Sequence, residues 1–84
     1  MGLKLRMDWY DPKTEWGEGK EYSEDLREDK SAIAALGLES EPNIYDGGFD
    51  VLEEWIPILQ PFFSHLLVPE QFDYQISFRY RAAW

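Results

Sequence analysis

Cysteine is absent from this 84-residue chain, which excludes disulfides, thiolate metal sites and cysteine nucleophiles. A small secreted domain usually needs such staples, so a reducing cytoplasm is the expected compartment. Histidine occurs once, as His65 in "FFSHLLV", and the sequence identifies no Ser-His-Asp or Cys-His constellation around it. There is no HExxH and no paired CxxC, and the glycines form neither a Walker loop nor a dinucleotide fingerprint. "DGGFD" has the look of a calcium loop but lacks its repeated acids. No metal or cofactor is therefore expected. The longest apolar run, within "GGFDVLEEWIPILQPFF", is interrupted by Pro57, Gln60 and Pro61 and is too short to span a bilayer. The opening "MGLKLRMDWY" holds no apolar signal core, and Arg6 stands where a myristoylation signal requires Ser or Thr.

Aromatic residues are abundant, at 17% of the chain, which separates it from disordered sequences. They let a small core bury enough area, and residues 1–84 are expected to form one domain. The net charge is −9 and is unevenly spread. Residues 11–56 hold fourteen acids and four bases, a net of −10, while the flanking segments are nearly balanced. Such a field repels nucleic acid and anionic membranes and attracts a basic partner, although acids also serve solubility alone. Glu53 and Glu54 are adjacent, so they diverge in a strand or a helix and make a poor general acid–base pair. An enzyme is not expected.

"LKLRMDWY" alternates, with Leu3, Leu5, Met7 and Trp9 on one face, and predicts a half-buried strand. "DPKTEWGEG" is turn-rich, with Trp16 at its tip seeking either its own core or another protein. "KEYSEDL" predicts a weak second strand with Tyr22 inward and Glu21, Ser23 and Asp25 outward. "SAIAALG" predicts a short helix started by Asp29 or Ser31 and ended by Gly37. "QFDYQISFRYRAAW" alternates again and is the clearest strand. The run from Gly47 to Phe63 fits a helix with Leu52, Trp55, Ile56 and Leu59 on one face, or a strand with Phe49, Val51 and Trp55 inward. Two prolines weigh against a long helix, and the paired strands need neighbours, so a strand over Gly48–Trp55 followed by an irregular apolar segment is the expectation.

The chain also resembles the immunity proteins of cloacin and the colicin-type ribonucleases. The resemblance runs over essentially the full length. It is carried by "MGLKL", Trp9–Asp11, "EYS" at Glu21–Ser23, Leu36–Gly37, "FDV" at Phe49–Val51, Glu54–Trp55, "LQP" at Leu59–Pro61 and Ser77–Arg81. It implies an α+β, mostly β fold: a four-stranded antiparallel sheet with one short helix. It implies a cytoplasmic protein, able to leave the cell bound to its toxin. The implied partner is the basic ribonuclease domain of a colicin-like bacteriocin, held in a 1:1 complex beside its catalytic cleft so that ribosome access is blocked. Neither direct nucleic-acid nor membrane binding is implied. The candidate partner-binding residues are Asp8 and Tyr10 on the first strand, Glu15 and Trp16 on the loop, and Glu21 on the second strand. Gly48, Asp50 and Glu54 join them on the third strand, with Gln75 and Arg79 on the last. Gly48, just before "FDV", is the implied specificity position, because a glycine accepts a protruding group that a bulky residue would reject. Arg6 and Arg79 depart from the acidic face usual in the family, and Gln75 stands where an aromatic anchor is expected. Both arginines fit specificity devices or ion pairs with Asp8 and Asp73. The competing class is an acidic decoy that occupies basic nucleic-acid-binding proteins.

Overall fold

A computed structural model describes residues 2–84. Its centre is a four-stranded antiparallel sheet in the order β2-β1-β4-β3. The two central strands are the two alternating segments, β1 (Gly2–Tyr10) and β4 (Asp73–Arg81). They pair along their whole length, from Gly2 opposite Arg81 to Tyr10 opposite Asp73. Alternation places Leu3, Leu5 and Met7 against Tyr74, Ile76 and Phe78 on one buried face.

That face is covered by α1 (Ser31–Ala35), by a helical run after β3, and by the segment that returns to β4. Ala32, Ile33, Leu36, Trp55, Leu59, Phe63 and Leu67 complete the core. The other face has no layer over it, as antiparallel sheets allow. The Asp29 carboxylate accepts the Ser31 amide at 2.9 Å and opens α1. Gly37, at φ +77°, closes it, with the Gly37 amide donating to Ala34 O and the Leu38 amide to Ile33 O. This is the paired ending that a left-handed glycine permits.

Two expectations are corrected. The second strand begins earlier than "KEYSEDL": β2 is Gly17–Tyr22, and its faces are reversed. Glu21 lies opposite Met7 on the core side, while Tyr22 lies opposite Arg6 on the open side. The glycines that weakened the strand pattern are needed there. The Trp9 indole lies over Gly19, where a Cβ would come within 2.6 Å of the ring. Beyond β2 the edge stays tied, because the Leu5 amide donates to Ser23 Oγ at 2.9 Å and the Ser23 amide to Leu5 O at 2.8 Å.

The third strand is also shorter than expected. β3 covers only Gly48–Asp50, and residues 53–62 are helical. A 3₁₀ turn (Glu53–Trp55) leads into α2 (Ile56–Leu59) and a second 3₁₀ turn (Gln60–Phe62). Pro57 and Pro61 each stand in the first turn of their own short segment. There the missing N–H costs little, so the run is subdivided rather than prevented. Glu53 and Glu54 occupy its first turn, where negative charge complements the exposed amides.

Candidate functional site

The open face of the sheet can be read in rows across the strands. Gly2 and Arg81 form the first, Lys4 and Arg79 the second. Tyr22, Arg6, Ser77 and Gly48 form the third, and Lys20, Asp8, Gln75 and Asp50 the fourth. Gly17, Tyr10 and Asp73 close the series. Side chains opposite each other across antiparallel strands share a face. The face therefore runs from basic to acidic along β1.

At the basic end the cations are engaged. Lys4 Nζ lies 4.8 Å and the Arg81 guanidinium 4.6 Å from the Trp84 ring centroid. The Trp84 indole N–H donates to Gly2 O at 2.8 Å, and its ring meets Tyr22 edge-on at 5.9 Å. Arg6 Nη2 pairs with Asp8 Oδ1 at 3.1 Å, and its guanidinium lies 5.8 Å from the Tyr22 ring centroid. The hydrogen bond to Asp8 raises the Arg6 pKa further.

The acidic end is an open groove of about 880 Å³, lined in part by Tyr10, Glu15, Asp50, Glu53, Glu70 and Asp73. Glu15 reaches it from the loop after β1, where it adopts φ +62°. That loop is held by the Asp11 carboxylate, which accepts the Lys13 and Thr14 amides at 2.7 and 3.1 Å. The Asp11 amide donates to Trp16 O at 2.9 Å. Trp16 projects from this loop with 75% of its surface exposed. Gln75 Nε2 donates to Asp50 Oδ1 at 3.2 Å, which fixes two members of the fourth row to one another.

Asp8, Tyr10, Asp50 and Gln75 therefore lie together, with Glu15 beside them and Gly48 one row away. Arg79 is on the same face but belongs to the basic end, opposite Lys4. The expected pairing of Arg6 with Asp8 is present. Glu21 and Glu54 are not on this face. Glu21 points to the core side, where its carboxylate accepts the Ser64 and His65 amides at 2.8 and 2.9 Å. Glu54 sits in the 3₁₀ turn after β3.

Two features escape sequence reasoning. Ser77 alternates onto the open face yet is only 5% exposed, and its hydroxyl has no protein partner. His65 is no isolated surface residue. Its ring stacks on Trp9 at 3.9 Å and 4°, and Nε2 lies 2.9 Å from the Tyr74 hydroxyl. That hydroxyl also accepts the Val68 amide at 2.8 Å, and desolvation pushes its pKa up. Among the described residues, no cluster of His, Asp or Glu is placed to hold a metal ion. No helix among them is long and apolar enough to cross a membrane.

Comparison with known families adds one finding. The family model described as Cloacin immunity protein matches residues 2–81.

Proposed function

The chain belongs to the cloacin immunity protein family, and from that premise we propose that it neutralises a ribonuclease bacteriocin by docking the acidic end of its open sheet face on the basic nuclease domain. Immunity proteins of this family are toxin inhibitors rather than enzymes, and their partner is the cognate cloacin or colicin. The single observation that carries the finer reading is the acidic groove, with Tyr10 at its wall and Trp16 projecting from the loop beside it.

A domain that cleaves RNA must itself be basic, so five groove carboxylates accelerate encounter and reject partners of the wrong charge. Long residence then depends on aromatic surface that leaves water on docking, which Trp16 and Tyr10 supply. In this reading the inhibitor sits in the cytoplasm in a 1:1 complex. It blocks approach to the ribosome by its bulk and takes no part in chemistry.

The reading is tested by titrating the chain into a bacteriocin ribonuclease domain that is cleaving purified ribosomes. Protection should be complete at one equivalent, and the complex should persist in high salt. An acidic decoy would instead bind many basic proteins and release them as salt screens the charges. Cleavage unaffected by excess protein would overturn the proposal.

A further inference from the structure

Ser77 is the residue on the open face whose state the fold itself does not explain. It occupies the central strand β4, between Arg6 on one side and Gly48 on the other. Its hydroxyl is buried and unpartnered among the described residues. A buried hydroxyl left without a hydrogen bond destabilises the free protein, so its retention calls for a use. Gly48, directly opposite, offers no side chain to share the row. Gln75 leans into that space, with its Oε1 3.3 Å from where a Gly48 Cβ would stand. What fastens Gln75 is an exposed hydrogen bond to Asp50, which a docking partner can displace.

We infer that Ser77 Oγ and Gly48 form a specificity notch that takes one neutral hydrogen-bonding side chain, an amide or a hydroxyl, from the toxin. This rests on the proposed docking face and adds a residue and a chemistry to it. The neutral class follows from position. The notch lies where the face changes sign, with Arg6 and Arg79 toward one end and Asp50 toward the other. A cation entering it faces the arginines and an anion faces Asp50, whereas an amide or hydroxyl meets no like charge. The Ser77 hydroxyl can donate or accept, so it suits either neutral group.

The test uses the full-length chain and a catalytically inactivated ribonuclease domain of its neighbouring bacteriocin. Ser77→Ala should weaken binding about tenfold, in the range of a hydrogen bond lost from a desolvated interface. Its urea unfolding midpoint should be unchanged or higher, because the removed hydroxyl had no partner. Gly48→Ala should also weaken binding and still fold, since its new Cβ meets only the flexible end of Gln75. In the double variant the loss should not exceed that of Gly48→Ala alone, because both changes close one notch. The inference is overturned by Ser77→Ala binding within about twofold of wild type, by additive losses, or by marked destabilisation of Ser77→Ala, which would give the hydroxyl a structural partner. Failure of the unaltered chain to bind would instead overturn the docking reading itself.

Discussion

Lys4, Arg6 and Arg81 at one end of the open sheet face are engaged by Trp84, Tyr22 or Asp8, while at the other end the carboxylates of Glu15, Asp50, Glu53, Glu70 and Asp73 line a groove. The two ends share strands and a backbone, so the difference lies in the side chains alone. A charge held by a neighbouring ring or acid contributes to the fold and is unavailable to a partner. A charge facing an open groove contributes little to the fold and shapes encounter. The tied end should therefore govern stability, and the open end recognition.

The largest effect should come from neutralising the open end. Glu15→Gln, Asp50→Asn and Asp73→Asn combined should slow toxin association by about two orders of magnitude at low salt. The unfolding midpoint should not fall. Stopped-flow mixing and urea titration read the two quantities separately, and a stability loss without a rate loss would reverse the assignment of the two ends. Next in size is Trp16→Ala, which should cost more than about 1 kcal/mol of affinity, as interface anchors do, with little change in stability. Tyr10→Ala should weaken binding similarly. Calorimetry giving wild-type affinity for both would remove the open end from the interface.

Smaller still is Trp84→Ala, at the tied end. It removes the ring over Lys4 and Arg81 and the hydrogen bond to Gly2, and should lower stability by about 1 kcal/mol while toxin affinity holds. Residue 84 lies outside the family-matched region, so this clamp is a local addition to the shared fold. The smallest effect concerns Tyr80, on the core side of the same end, opposite Leu3. Its hydroxyl donates to the Glu28 carboxylate, which pushes the phenol up to about 12. A raised pKa means the stabilising form is the protonated one. That contribution is complete below the ordinary value near 10 and fades as pH rises through about 12. Thermal melts of Tyr80→Phe should lack the part of the alkaline decline that wild type shows across that window.

How much of this was legible in the sequence depends on how far each residue's determining contact lies. β1 and β4 are visible because period-two alternation needs no knowledge of the partner strand. The end of α1 is visible because Gly37 carries its own signal. β2 was misplaced because Gly17 and Gly19 read as loop, and the reason for Gly19 is an indole on another strand. The run after β3 read as strand because two prolines argued against helix. Only the subdivision into short turns, each taking its proline in the first turn, reconciles them. Six of the candidate residues, Asp8, Tyr10, Gly48, Asp50, Gln75 and Arg79, lie on the open face, since alternation fixes a face once the strand is right. Glu21 and Glu54 miss it because their strands were drawn wrongly. Ser77 is hidden altogether, for nothing in "QISFRY" says that a serine between two polar neighbours will be buried and unpartnered.

The strand order carries a kinetic consequence. The centre of the sheet joins β1 to β4, the two strands most distant in sequence, with every other element in the loop between them. Neither β2 nor β3 touches the other, so no local hairpin can supply the core in advance. Contacts of such long sequence separation must close a large loop before they are rewarded, which slows folding relative to a chain built from adjacent pairings. A ribosome-bound intermediate that still lacks β4 would expose the apolar side of β1 with nothing to cover it. Protection against the toxin would then begin only once synthesis has passed Arg81, in one cooperative step rather than by degrees.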